Sequence, residues 1–447
     1  MKISINVRRL GLTMLVLGFV SCMLLQDRAN AANTFPTTKT LVNINTSGGG
    51  SDNGTVPYRT TNSLGISADG NLVLFASNQT DIASSDGTGH RALYQRNIST
   101  GSNTRVDVSA TGVNGNAAAV SGVMSESGRY VVFYSTATNL IDGTTTAGAM
   151  FYLKDMQTNA ITLEPSGGTA IGVSNDARYV FFQTHDTGNL IPGARNGYYD
   201  LAMYDNVNAS WTLVSAPSVT GLQSVNTFST PGNVTSCDGS FLVFSSTATN
   251  LVSGYSGSGS HVFLADLRNG LRITDLTPGI TAGAAGPVIS CDGNYIAYGS
   301  ADRTQITPTP SGMNSDYHVL EYNRITGARS YIDSNSSGVF EKGGTVRSVS
   351  NNGDALLTVP WNTGFAYYSV LYFKHIADGS GTRENVEGSL MYIINDGVGA
   401  LVSANDKAVV YQSRDAYNMG LTPTDTCDLS TYNSQYPCDI VSSKTGQ

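Results

Sequence analysis

A polar turn followed by a run of apolar residues recurs along almost the whole chain. The turn and run read ISADGNLVLFAS (66–77), MSESGRYVVFYS (124–135), VSNDARYVFFQT (173–184) and TSCDGSFLVFSS (235–246). Further copies read ISCDGNYIAYGS (289–300), VSNNGDALLTVP (349–360) and VSANDKAVVYQS (402–413). Taking Gly70, Gly128, Ala177, Gly239, Gly293, Gly353 and Lys407 as turn markers, the interval runs from 49 residues (128 to 177) to 62 (177 to 239). Such scatter fits a constant strand core with loops of variable length. Each unit continues with a polar segment such as TATNLIDG (136–143), then a third apolar strand such as MFYLKD (150–155) or VFLAD (262–266). A turn and a fourth strand close it, as in RNGLRITDLT (268–277). Four strands per unit, with turn signals between them, predict the blade of a β-propeller rather than a solenoid coil.

Turn chemistry explains the motif. Asp-Gly between two strands favours hairpin turns that need positive φ, and the Asp side chain bonds its own backbone locally. Runs such as LVLF, YVVF and FLVF alternate weakly, so these strands are expected to be buried on both faces. A strand held between neighbouring blades has that environment.

The full string SCDGSFLVFSSTATNLVSGYSGSGSHVFLADLRNG (236–270) resembles the TolB-like propeller repeats, a WD40-like family named for a periplasmic protein of the bacterial envelope. The resemblance runs through nearly the whole chain after its leader. It implies an all-β propeller in an exported setting. TolB itself carries an α/β domain before its propeller, for which this chain has no room, so TolB's envelope role and partners are not implied.

The chain ends fit together. The last segment, CDIVSSKTGQ (438–447), reads as a third strand that stops at Thr445-Gly446, where a fourth strand begins elsewhere (Thr100-Gly101, Thr326-Gly327). The segment TKTLVNINTSGG (38–49) reads as an orphan fourth strand. Residues 38–45 are therefore expected to complete the last blade and remove its open edge. Seven blades of four antiparallel strands are expected, with six as the alternative if the last unit is degenerate. The 349–397 unit is the least regular, because Trp361 and Tyr367-Tyr368 replace the polar loop and GSLMYIINDG (388–397) offers an extra strand.

Residues 1–31 read as a signal peptide: Lys2, Arg8 and Arg9 precede an apolar stretch from Leu12 to Leu25, and Ala29-Asn30-Ala31 offers a cleavage site. The stretch is short for a membrane span and no other follows it. Lipidation at Cys22 is the alternative, against which Phe19-Val20-Ser21 makes a poor lipobox. Residues 32–447 are expected to form one propeller domain, periplasmic or extracellular. Only 13% of residues are charged, about half the usual share, so Ser, Thr, Asn and Gly must supply solubility. The net charge of −8 is dispersed and forms no basic stripe, which argues against nucleic acid as a partner.

Four cysteines follow the leader, an even number that favours disulfides in an exported chain. Cys237 and Cys291 hold the same place in adjacent repeats, where inner strands converge. Cys427 and Cys438 bracket the polar loop DLSTYNSQYP. A bridge there would constrain the unfolded chain by about 3 kcal/mol.

No catalytic, cofactor or metal residues are assigned. His261, His318 and Asp200 occupy equivalent third-strand positions, and His90, His185 and His375 are scattered, so no ligand set converges. Structural calcium is the one cofactor to weigh, but it wants six to eight oxygens, and SSDGTGH (84–90) carries one carboxylate. GYSGSG (254–259) lies in a loop rather than on a strand-to-helix elbow. Glu126, Glu164, Glu321, Glu341, Glu384 and Glu387 could pair only if the fold gathered them. Aromatic residues near variable segments are the better lead: Tyr198, Tyr199, Tyr255, Tyr317, Trp361, Tyr367 and Tyr368. Trp211, Tyr432 and Tyr436 share that setting, with some of the set expected to cap blade edges instead. Such rings suit protein or neutral glycan surfaces. The expected function is a non-catalytic binding or scaffold propeller. The alternatives are a polysaccharide lyase or hydrolase with its site at one channel mouth, and a subunit of a surface layer or filament. The sequence leaves the oligomeric state open.

Overall fold

A computed structural model describes residues 39–42, 65–78, 80–83, 89–143, 145, 149–165, 168–184, 191–192, 199–215, 233–307, 309, 313, 317–333, 344–362, 367–374, 381–383, 400–413 and 439–444. The leader, Cys427, Cys438 and the 388–397 segment lie outside them.

Strand β1 is Lys39–Leu41. One blade follows as β2 (Gly65–Ile66), β3 (Leu72–Ser77), β4 (Ala92–Asn97) and β5 (Ser102–Arg105). The next is β6 (Ala119–Met124), β7 (Tyr130–Ser135), β8 (Met150–Asp155) and β9 (Ile161–Glu164). Then come β10 (Thr169–Val173), β11 (Tyr179–Thr184), β12 (Asp200–Asp205) and β13 (Ser210–Leu213). A sheet of β14 (Phe241–Ser246), β15 (His261–Asp266) and β16 (Arg272–Asp275) is followed by β17 (Ala284–Ile289), β18 (Tyr295–Ser300), β19 (His318–Asn323) and β20 (Arg329–Tyr331). The remaining strands are β21 (Thr345–Val349), β22 (Ala355–Asn362), β23 (Tyr367–Lys374), β24 (Gly381–Arg383), β25 (Ala400–Val402), β26 (Ala408–Ser413) and β27 (Asp439–Lys444).

Among the described residues these strands make an all-β propeller of six four-stranded antiparallel blades and one three-stranded sheet, β14 to β16. Seven four-stranded blades were the expectation, and the 241–275 sheet departs from it. Thr235 and Leu242 form only an isolated bridge where an inner strand would lie. Residues 216–232, just before that stretch, lie outside the described residues. The 345–383 blade differs in another way. Its β22 and β23 each run eight residues and pair out through Trp361 with Tyr368 to Asn362 with Tyr367, so a longer strand pair replaces the polar loop.

One blade is made from both chain ends, in the order β1-β27-β26-β25. Lys39 faces Ser443 and Leu41 faces Val441 across an antiparallel ladder. The strand is shorter than the 38–45 segment read from sequence. Val42, which follows it, is fully buried with Leu401 and Val410 on one side and Val73 and Phe75 on the other.

The core lies between successive sheets rather than in one central mass. Val73, Leu74 and Phe75 of β3 are all fully buried, which is why these strands read as apolar on both faces. Phe75 stacks on Tyr94 in the first blade, Phe133 on Tyr152 in the next and Phe244 on Phe263 in the three-stranded sheet, with centroids 5.5–5.6 Å apart. Each is the directly opposed pair of its second and third strands. Cross-strand aromatic pairs of this kind fix register.

Candidate functional site

Consecutive antiparallel strands place the turns between first and second strands at one end of the ring, and the ends of the second and third strands that flank the polar loops at the other. The turn end is uniform. Ser67, Ser174, Ser236 and Ser290 each donate from Oγ to the Asp two residues on, at 2.5–2.6 Å. Each Oγ also accepts the amide that opens the next strand, as Leu72 N does to Ser67 Oγ at 2.9 Å. The left-handed turn position is glycine in five copies, with φ from 71° to 87°, and Ala177 with φ 60° in another. In the last copy it is Asp406, φ 61°, one residue before the Lys407 marked from sequence.

These turns are tied to one another in a closed belt around the axis. Ala68 N donates to Glu126 O (2.6 Å), Ser127 N to Asn175 Oδ1 (2.7 Å), and Asn175 N to Cys237 O (2.7 Å). Cys237 N donates to Cys291 O (2.8 Å), Asp292 N to Asn351 Oδ1 (2.9 Å), and Asn351 N to Ala404 O (3.0 Å). Asn405 N returns to Ala68 O (3.2 Å). Inside this belt Cys237 and Cys291 form a disulfide with Cα atoms 4.7 Å apart. The Glu126 carboxylate packs beside it and accepts from Asn233 Nδ2. Glu126 is 9% exposed and its Oε2 has no hydrogen-bond partner among the described residues. Burial pushes its carboxyl up to about 8, with the Asn233 bond acting against the shift. Sequence reasoning named Glu126 without a role. The available signal was its position, since it fills the turn slot that Cys237 and Cys291 fill in their own repeats.

At the loop end, side chains lock each third strand. The amides of Leu93, Leu201 and Val262 donate to Asp107 Oδ1, Ser215 Oγ and Thr277 Oγ1. His261 Nδ1 lies 2.8 Å from Asp275 Oδ2, and His318 Nδ1 2.8 Å from Asp333 Oδ2. Ser215 Oγ makes the corresponding bond to Asp200 at 2.8 Å. Burial raises the Asp333 carboxyl, with His318 pulling the other way. Each histidine thus belongs to its own blade and its own aspartate, as repeat ancestry implies.

The candidate aromatics divide. Tyr199 and Tyr317 are 54% and 47% exposed, each immediately before a third strand. Tyr255 is half-buried against the His261 ring, 4.6 Å between centroids. It also lines an open cavity of about 630 Å³ with Leu251, Arg272, Asp275 and Pro278. Trp211 packs between Phe182 and Tyr204 and is a capping residue. Trp361, Tyr367 and Tyr368 belong to the extended β22–β23 strand pair. Tyr198, Tyr432, Tyr436, His185 and His375 lie outside the described residues.

Among the described residues the glutamates are not gathered. Glu164 ends the outer strand β9, and burial raises its carboxyl to about 7. Glu321 sits on β19 beside the next blade's turn, raised to about 8 by burial and then by Asp354. Glu341, Glu384 and Glu387 lie outside the described residues. Among the described residues, no helix is long and apolar enough to cross a membrane.

No family model matches the chain, and no curated protein matches it. Solved structures similar to it include TolB from Acinetobacter baumannii, at 16% identity and a TM-score of 0.36, covering 65% of this chain and 58% of TolB. Oligogalacturonate lyase from Vibrio parahaemolyticus aligns at 15% identity and 0.46, covering 87% of this chain and 89% of the lyase. The β-propeller domain of the Trilobed protease from Pyrococcus furiosus aligns at 12% and 0.45, covering 78% of this chain and 91% of that domain. These are propellers of mixed function, and likenesses this distant say nothing of activity. The propeller assignment rests on the sheet topology.

Proposed function

We propose that the chain is an exported, non-catalytic propeller that binds a neutral glycan or a protein surface through its loop end. The observation that carries this reading is the asymmetry of the ring. Its turn end is tied shut by the belt, whereas its loop end carries exposed Tyr199 and Tyr317 and the cavity beside Tyr255. Ring faces with a polar handle suit sugar and protein contact. In the same reading the three-stranded sheet is a seventh blade, supported by its place in the belt and by the apolar clusters on both its sides. The leader over 1–31 and a second bridge between Cys427 and Cys438 complete the picture of a secreted chain, with 32–447 as one domain.

Binding of the processed chain to a glycan array, with a parallel pull-down from envelope extract, tests the proposal. Retention that falls about tenfold in Tyr199→Ala/Tyr317→Ala, the size of one lost contact of about 1.4 kcal/mol, supports it. Release of reducing ends or unsaturated sugars by the wild-type chain overturns the non-catalytic reading.

A further inference from the structure

Three metal-ligating side chains from three separate repeats meet inside the belt. Cys237 Sγ, Cys291 Sγ and a Glu126 carboxylate oxygen all lie within 4.8 Å of one another. We propose that reducing the Cys237–Cys291 disulfide opens a thiophilic divalent-metal site on the ring axis, with both thiolates and Glu126 as ligands and Zn²⁺ as the ion class.

The donor set decides the ion. Two sulfurs and one oxygen suit Zn²⁺, whose tetrahedral sites take thiolate and carboxylate ligands together. Calcium and magnesium call for oxygen shells and find one carboxylate here. Bonds of about 2.3 Å to sulfur and 2.0–2.2 Å to oxygen put neighbouring donors roughly 3.5–3.8 Å apart. The carboxylate already stands within reach, and the two sulfurs need only part by side-chain rotation.

Their backbones are held for the purpose. Cys237 N is bonded to Cys291 O, Asn175 N to Cys237 O and Ala68 N to Glu126 O. The carboxylate is the independent pointer to a ligand. Buried polar atoms are nearly always satisfied, yet Glu126 Oε2 has no hydrogen-bond partner among the described residues at 9% exposure. Its other oxygen accepts from Asn233 Nδ2, the kind of outer support that orients ligating carboxylates. A metal bound at Oε2 satisfies the remaining atom, and water takes the fourth position.

The chemistry balances with a dithiol as reductant. The S–S bond takes two electrons and two protons to give two thiols, while the dithiol closes to its own disulfide. Metal binding then forms two Zn–S bonds and one Zn–O bond. It releases a proton from each thiol, and one from the carboxyl where that is protonated. Cys291 is half-buried at the rim of the turn end, and Cys237 is 8% exposed behind it. Disulfide and metal are therefore alternative states of one site.

The test uses the full processed chain and a Cys427→Ser/Cys438→Ser variant, reduced with a phosphine, desalted without oxygen and titrated with Co²⁺. The expected result is one ion per chain, with tetrahedral visible absorption and a thiolate charge-transfer band, both displaced by Zn²⁺. Oxidised protein should give neither signal. Glu126→Gln should weaken binding at least tenfold while the circular dichroism of the reduced chain stays that of the wild type. The proposal is overturned if two thiols titrate and no ion binds, or if Glu126→Gln binds as tightly as wild type. It is equally overturned if the signal survives in Cys237→Ser/Cys291→Ser, or if reduction unfolds the chain.

Discussion

Two kinds of turn separate two costs that a glycine can avoid. Gly128 and Gly101 have nearly the same φ, 72° and 71°. A Cβ at Gly128 would stand 2.4 Å from Leu72 Cδ1, whereas at Gly101 the nearest atom is 3.7 Å away. Gly101→Ala should therefore cost about 1 kcal/mol of backbone strain alone. Gly128→Ala should add overpacking, for a total of about 2–4 kcal/mol, read as a lower urea midpoint at constant slope. Equal losses would sink that division. Charge at residue scale gives a pH signature. Burial and Asp354 raise Glu321 from 4.5 to about 8, so between those values the folded chain holds more protons than the unfolded one. Stability from this group falls as pH rises through that window. Asp205, held down to about 2 chiefly by Arg178, works the other way and loses its contribution only below its usual value of 3.8. Glu321→Gln should gain on the wild type in Tm steadily from pH 5 to pH 8. A difference that stays flat would show that Glu321 does not titrate in that window.

At the scale of elements, the closure of β1 on β27 is the contact whose loss should spread furthest. Deleting residues 38–45 removes the three-residue ladder and the fully buried Val42. A buried valine contributes about 1.5–3 kcal/mol and each lost ladder bond about 1 kcal/mol, so the loss should reach at least about 3 kcal/mol. Early proteolytic cleavage at 439–444 should accompany it, and an unchanged urea midpoint would mean the ring holds without its clasp. This element was legible because each strand type carries its own signature: Thr-Gly before a fourth strand, Asp-Gly before a second. The three-stranded form that the 241–275 sheet takes among the described residues was less so. Its turn, TSCDGS, matches the motif fully, and the departure shows just before it, where Thr235 makes only an isolated bridge to Leu242. The eight-residue β22 and β23 were likewise obscured, since their extension shows in sequence only as the absence of a polar loop. What no window contains is convergence. The belt passes twice through asparagine side chains, Asn175 and Asn351, and places Glu126 beside two cysteines more than a hundred residues away.

Across the whole molecule the two ends of the ring have been given different work by the same repeat. Short turns must be alike, because each bonds to the next around a closed circuit and a change in one disturbs two neighbours. The 136–139 stretch after β7 bonds within its own blade, accepting from Asn116 at Thr138 and Asn139, and a loop held in that way can vary without breaking the belt. Binding residues belong where variation is tolerated. Substitutions at Tyr199 or Tyr317 should then lower ligand retention while leaving Tm within a degree or so, since an exposed side chain contributes little to folding. Val207 provides the matching control. It is 72% exposed at a turn between third and fourth strands, on the opposite end of the ring. Val207→Ser should change neither Tm nor retention if the ligand meets the loop end alone. Should Val207→Ser abolish retention and Tyr199→Ala/Tyr317→Ala leave it intact, the binding face would be the belted one, and the asymmetry would have to be explained by the axial cluster instead.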